Sequence, residues 1–367
     1  MPNYMKKISF LILQILLLSV CASTTAFAQM PTLSNRNKSD WWHPIGIKPY
    51  QASKAKHISF ISVKGNSFVD DKGNELIFKG LSISDPDKLK KDGKWSKKHF
   101  EVIKSWGANI VRIPVHPISV QQRGIEDYLT LLDEAVKWSE ELELYLIIDW
   151  HSIGNLRTEL LASDAYNTTK KETFSFWQTI AAHYKDVPTV AFYELFNEPT
   201  IYDGKYGTCT WGEWKQLMEE LIDVVYAYNK KAVPLVAGFN WAYDLTPVKD
   251  HPIAREGIGY VVHPYPGKRK IPREPKWDVD FGFVADKYPV IATELGFMNE
   301  GDDENLLDDK VYGPSIVNYF QQKKISWVVW VFDPVWVPQM IKNWNYEPTE
   351  QGAFFKDVFQ GKFEYQK

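Results

Sequence analysis

Cysteine is nearly missing from this chain. Its 367 residues hold two, Cys21 and Cys209, and Cys21 falls in a segment read below as a removable leader. One remaining cysteine makes neither an internal disulfide nor a thiolate metal site, and Cys209 is read as a small packed or loop residue. A basic surplus is missing too. Lys and Arg number 43 against 46 Asp and Glu, for a net charge of −3. Such a balance excludes the electrostatic footprint of a nucleic-acid or anionic-membrane binder, and an uncharged partner fits better. Long apolar runs are limited to one, Ile8 to Val20, interrupted by Ser9 and Gln14 and too short to span a bilayer. Lys6 and Lys7 precede it and Ala26-Phe27-Ala28 follows, the three-part pattern of a secretory leader cut after Ala28. A secreted or periplasmic protein without a membrane span is expected. Lipid attachment at Cys21 is the rival reading, and the bulky Val20 serves it poorly. Losing Lys6 and Lys7 with the leader takes the net charge from −3 to −5.

Residues 29–56, polar but holding Trp41-Trp42, read as an N-terminal arm, and residues 57–367 read as one domain without an internal linker. Aromatic residues are plentiful, with 15 Trp, 19 Tyr and 20 Phe. Many belong to a core, and the surplus of tryptophan suits surfaces on which the CH faces of sugar rings stack. The run Ile58 to Val63, then Ser67-Phe68-Val69, the turn cluster Asp71-Lys72-Gly73-Asn74 and Leu76-Ile77-Phe78 predict an N-terminal β-hairpin. Eight short apolar runs follow at the pace of βα units: Leu76–Ser82, Ile110–Val115, Leu144–Asp149, Val190–Phe196, Pro234–Phe239, Ile258–His263, Val290–Glu294 and Ser326–Phe332. They are rich in Val and Ile and alternate poorly, as parallel strands covered on both faces do. Between them, Ile125, Tyr128, Leu129, Leu132 and Val136 form a helical stripe, as do Trp214, Leu217, Met218, Leu221, Val225 and Tyr228. The expected fold is α/β, a single (β/α)8 TIM barrel. The rival, an open doubly wound sheet, should open with a Gly-rich phosphate turn, and Gly80-Leu81-Ser82-Ile83-Ser84 is not one.

A barrel carries its chemistry at the C-terminal ends of its strands. There the chain places Arg112, Asp149-Trp150-His151, Phe196-Asn197-Glu198-Pro199, Phe239-Asn240-Trp241, His263-Pro264-Tyr265, Thr293-Glu294-Leu295-Gly296 and Trp330. Glu198 and Glu294 lie three strands apart and can face one another across the mouth. Two carboxyls flanking one bond are what glycoside hydrolysis needs, one to donate a proton and one to attack or to activate water. Arg112 inside an apolar strand needs a carboxylate partner; Glu294 is one choice, a structural ion pair lower in the barrel the other. Asn197 suits a sugar 2-hydroxyl or a turn. His151 and His263 suit sugar hydroxyls or the carboxylates, and equally a satisfied core. Tyr265 suits a hydrogen bond to Glu294 or plain packing, and Trp330 a stacking floor or core. The histidines lack close ligand spacing, so no metal is expected. Glu300–Glu304 reads as a solvated loop, and Lys268-Arg269-Lys270 as an exposed one.

Taken in order, Val111-Arg112-Ile113-Pro114, Asp149-Trp150-His151, Phe196-Asn197-Glu198-Pro199, His263-Pro264-Tyr265, Thr293-Glu294-Leu295-Gly296 and Trp330 resemble glycoside hydrolase family 5, which holds many cellulases. The resemblance runs from about residue 58 to about residue 345. It implies a (β/α)8 barrel, retention of anomeric configuration, no cofactor, Glu198 as acid/base and Glu294 as nucleophile. It also implies substrate contacts from Arg112, His151, Asn197, His263, Tyr265 and Trp330. The first strand departs from the pattern, reading Lys79-Gly80-Leu81-Ser82 where many members have Arg-Gly-x-Asn. The expected activity is that of an endo-β-1,4-glucanase, acting as a monomer on cellulose or a related β-glucan. β-Mannan and xyloglucan are alternative substrates, and a catalytically silent glycan-binding barrel is the alternative of another class.

Overall fold

The computed structural model describes residues 47–52, 58–201, 204–308 and 310–366. The leader and most of the arm lie outside them. Of the arm, the stretch at Lys48 to Tyr50 packs on the barrel: Tyr50 N donates to His183 O at 2.7 Å, and His183 Nδ1 donates to Lys48 O at 2.6 Å.

Eight parallel strands close into a barrel: β1 (Lys79–Ser82), β2 (Ile110–Val115), β3 (Tyr145–Trp150), β4 (Val190–Glu194), β5 (Val233–Ala237), β6 (Gly259–Val261), β7 (Val290–Ala292) and β8 (Ser326–Val329). Each strand pairs with its neighbours in sequence, and β8 pairs with β1 to shut the ring, Trp327 opposite Lys79 and Val329 opposite Leu81. The expected α/β barrel is therefore the fold. The outer helices include α1 (Lys97–Trp106), α2 (Ile125–Leu142), α3 (Lys170–His183), α4 (Trp211–Tyr228), α5 (Glu274–Asp280), α6 (Tyr312–Lys323) and α7 (Glu350–Phe359). The stripe on α2 faces inward, with Ile125, Tyr128, Leu132 and Val136 buried. Capping boxes, Thr169 with Glu172 on α3 and Thr210 with Glu213 on α4, satisfy first-turn N–H groups and fix where those helices begin.

Several strands end earlier than their apolar runs. The fourth stops at Glu194 rather than Phe196, the seventh at Ala292 rather than Glu294, and the fifth at Ala237 rather than Phe239. Leu195, Phe196 and Leu295 are buried beyond the strand ends, so hydrophobicity continues where strand pairing does not. The hairpin is observed as three antiparallel strands, Ser62–Lys64, Ser67–Val69 and Glu75–Leu76. Asp70 Oδ1 accepts from Lys72 N at 2.9 Å and Asn74 N at 2.8 Å to hold the turn. Leu76, read as the start of the first barrel strand, belongs to this ribbon.

The barrel interior is layered. Ile110, Ile147, Phe192, Val261, Ile291 and Val328 form one buried apolar cluster with Phe68 and Phe78. Phe192 meets Phe68 and Phe78 edge-on at 4.9 and 5.0 Å, geometry worth about 0.5–1.5 kcal/mol per pair beyond area burial. Side chains along a strand alternate between faces. The next inward position, on the strand or just past its end, is thus Arg112, Asp149, Glu194, His263, Thr293 and Trp330. An apolar plug fills the lower barrel, and a polar ring lies above it.

Candidate active site

Arg112 is fully buried at the centre of this ring. Its Nε and Nη2 reach Glu194 Oε2 and Oε1 at 2.7 and 2.9 Å, its Nη1 reaches Glu294 Oε1 at 2.8 Å, and its Nη2 donates to Asn197 Oδ1 at 2.6 Å. Asp149 Oδ2 lies 2.9 Å from the same Nη2. Both sequence alternatives for Arg112 are therefore realised at once: it pairs with Glu294 and with two deeper carboxylates. Burial opposes the guanidinium charge, but Asp149, Glu194 and Glu294 raise its pKa well above the ordinary value. Burial likewise opposes the Glu194 charge, and Arg112 and His263 overcome it to lower that carboxyl.

Glu198 follows β4 on a short extension that is held from the side. Glu198 N donates to Ser152 O at 3.0 Å and Thr200 N to Gly154 O at 2.9 Å, with Glu198 opposite Ile153 in a parallel pair. Residues 153–155 pair in turn with Leu160–Leu161. Gly154 has φ +134°, and a Cβ there would lie 2.6 Å from Leu160 O, so only glycine permits this approach. The Glu198 backbone is thus fixed by a small sheet on top of β3.

Besides Arg112, two side chains converge on the two glutamates. His263 Nδ1 lies 3.0 Å from Glu198 Oε1, and its Nε2 lies 2.9 Å from Thr293 Oγ1, which donates to Glu194 Oε1 at 2.9 Å. Tyr265 donates its hydroxyl proton to Glu294 Oε2 at 2.9 Å. Burial alone would depress His263, yet Glu294, Glu194 and Glu198 lift it to about 9, so an imidazolium donates to both neighbours at neutral pH. Burial raises the Glu294 carboxyl above its ordinary value, opposed by His263, Arg112 and the Tyr265 hydroxyl.

Glu198, His263 and Glu294 each offer one atom within 4.8 Å of the others, a crowding a metal ion can exploit. The chemistry of this donor set disfavours one. Metal ligation needs a neutral imidazole, and the surrounding carboxylates favour the protonated form of His263.

His151 sits across the ring. Its Nδ1 is 2.6 Å from Asp149 Oδ2, and its ring stacks on Trp330 at 5.3 Å and 4°. Burial lowers the His151 imidazole well below its ordinary value and raises Asp149 well above its own. Asn197 Nδ2 is buried without a partner among the described residues. All eight residues singled out from the sequence thus lie in or against one polar ring.

Glu194 was not among them, although its partnership with Arg112 organises the ring. The signal was available as a lone charge inside Val190-Ala191-Phe192-Tyr193-Glu194-Leu195-Phe196, two residues beyond an inward-facing Phe192. Asp149 carries the same signature relative to Ile147.

Residues 69–335 match the family described as cellulase, glycosyl hydrolase family 5. The chain belongs to that family. Among solved structures, this family 5 chain resembles β-glucanase SdGluc5_26A from Saccharophagus degradans in complex with cellotetraose. The two share 49% identity at a TM-score of 0.85, over 88% of this chain and 99% of that one. Among curated proteins it is 27% identical over 266 residues to endoglucanase A of Butyrivibrio fibrisolvens, covering 69% of this chain but only 56% of that protein. It is 24% identical over 343 residues to an endoglucanase of Paenibacillus polymyxa, covering 79% of this chain and 83% of that protein. The family 5 departure on the first strand has a local explanation at Lys79. Its ammonium leaves the barrel and meets Tyr365 OH at 2.9 Å, away from the polar ring.

Proposed function

We propose that the protein is a retaining endo-β-1,4-glucanase, with Glu294 as nucleophile and Glu198 as general acid/base. The observation that supports this most is their spacing. One oxygen of each carboxylate lies within 4.8 Å of the other, against about 5–5.5 Å between carboxyls in retaining enzymes and about 6.5–9.5 Å in inverting ones. A spacing on this scale favours direct attack by Glu294 over activation of an intervening water.

Glu294 attacks the anomeric carbon while Glu198 gives its proton to the departing oxygen. Arg112 and Tyr265 donate to Glu294 and His263 stands 3.9 Å away, which favours the ionised form and orients its lone pairs. Glu198 then takes a proton from water, and the resulting hydroxide equivalent releases the sugar from Glu294. The unpaired Nδ2 of Asn197 is set to donate to the 2-hydroxyl of the reacting sugar, a contact that tightens in the transition state. Trp330, braced by His151, offers the stacking floor.

β-1,4-Glucan is the substrate supported best, because the 49% identical SdGluc5_26A structure is a β-glucanase with cellotetraose and the curated relatives are endoglucanases. Side-by-side assays on soluble β-glucan, mannan and xyloglucan test this, with glucan expected to be cleaved fastest. Rapid viscosity loss per new reducing end marks internal cleavage. Proton NMR of the first anomer released from a cellooligosaccharide decides the stereochemistry: β supports retention and α overturns it. The leader sequence supports export, and mature protein beginning at Gln29 is the expected product.

A further inference from the structure

Lys268 opens the basic triplet that reads as an exposed loop, yet its side chain turns inward. The Nζ donates to Asn240 O at 3.0 Å and lies 4.9 Å from the centroid of the Trp241 ring and 5.9 Å from that of Tyr243. Burial lowers the ammonium from its ordinary value and Glu198 opposes that change, so the cation sits within electrostatic reach of the acid/base. The backbone it grips is unusual. Asn240, Trp241 and Ala242 have φ of 59°, 55° and 54°, three consecutive non-glycine residues in the left-handed region, where each side chain is crowded against its own backbone. Strain of this kind persists only where the surroundings over-determine it. The surroundings here are specific. Ala242 O accepts from His263 N at 2.9 Å, and the turn packs against Glu198–Pro199. Gly238 enters the turn where a Cβ would collide with Asp244 O. The neighbouring Arg269 anchors the Lys268 loop through a bidentate pair with Asp280, at 2.7 and 2.9 Å, and Tyr243 OH donates to the same carboxylate at 2.7 Å.

We propose that Lys268 is a positioning and specificity residue for the leaving-group side of the cleft. Its ammonium latches the left-handed Asn240–Ala242 turn, which packs against Glu198–Pro199, and so fixes the half-buried Trp241 ring, on which the sugar attached to the departing oxygen stacks. This rests on the assignment of Glu198 as the acid. The latch matters only when the leaving group is a sugar, because only then does a ring need orienting against Trp241.

The test compares cellotetraose with β-cellobiosyl fluoride, whose leaving group is a single atom. K268M is expected to lower kcat/KM on cellotetraose about tenfold, in line with a desolvated cation–π contact plus a charged hydrogen bond, and to affect the fluoride several-fold less. K268R, which keeps the cation, recovers most of the loss. In a W241A background K268M adds under about a twofold further loss, because the ring it positions is gone. Equal losses on both substrates, or an undiminished effect on W241A, overturn the proposal. Thermal unfolding of each variant, with K268Q as the milder neutral replacement, separates misfolding from these outcomes. Wild-type protein inactive on both substrates would instead contradict the glucanase assignment itself.

Discussion

Arg112 and Glu194 form a bidentate ion pair inside the barrel, Nε to Oε2 at 2.7 Å and Nη2 to Oε1 at 2.9 Å, directly above the apolar plug. Arg112 extends its remaining donors to Glu294 and Asn197, so Glu194 sets the position of two residues that it does not touch itself. Removing one partner of a buried pair leaves the other charge uncompensated, at a cost of about 3–5 kcal/mol. Glu194→Gln is expected to lose stability on that scale in denaturant unfolding and to lower kcat in the fraction that remains folded. Unchanged stability would show that Asp149 and Glu294 suffice to hold the guanidinium.

Tyr265 OH donates to Glu294 Oε2 and thereby favours the carboxylate. Burial already raises Glu294, and Tyr265→Phe deletes one of the influences pulling it down. The acid limb of kcat/KM, which reports ionisation of the nucleophile in the free enzyme, should therefore move to higher pH in that variant. A pH–rate profile checks the direction, and a limb that stays fixed or moves down contradicts it.

His263 is raised from an ordinary 6.5 to about 9 in the folded protein. A raised group stabilises the fold fully below its unfolded pKa, and the contribution is lost as pH climbs through the folded value. The wild type should lose stability between about pH 6.5 and pH 9 through this residue. His263→Asn, lacking the titration, should show a flatter slope across that window. Denaturant midpoints measured every half unit of pH make the comparison, and parallel slopes would remove His263 as the cause.

Asn197 has one amide face committed to Arg112 and the other unpartnered. If Nδ2 serves the 2-hydroxyl, Asn197→Ala should lower kcat/KM on the order of 10–100-fold for a glucoside. The loss should be much smaller for its 2-deoxy analogue. Equal losses on both would assign Asn197 to holding Arg112 alone.

The barrel was legible because eight buried strands write themselves as short Val- and Ile-rich runs separated by helical stripes. Strand ends were less so. Leu195 and Phe196 continue the apolar run of β4 after its pairing stops, since burial and ladder bonding are different demands on the backbone. Glu198 and Glu294 are legible because they stand just past strand ends, where a barrel carries its chemistry. Glu194 is less legible, being two positions beyond Phe192 on the same face, where only strict alternation points. The turn at Asn240–Ala242 was illegible, because none of its three left-handed residues is glycine and tertiary contacts hold it. Lys268 was misread as exposed because its neighbours Arg269 and Lys270 are exposed, and only packing against Trp241 distinguishes it.

Chelator should leave activity intact if the Glu198, His263 and Glu294 cluster works through protons rather than a metal. An assay with excess chelator, followed by metal analysis of the protein, checks this, and inactivation restored by a divalent cation would reverse it.

Azide rescue probes the division of labour between the two glutamates most directly. With Glu198→Ala and an activated cellobioside, azide should restore turnover and give the β-glycosyl azide, because it attacks a sugar held on Glu294. With Glu294→Ala it should give the α-glycosyl azide, because it replaces the nucleophile itself. The opposite pairing of products with variants, or an activity indifferent to both substitutions, would contradict the roles assigned here.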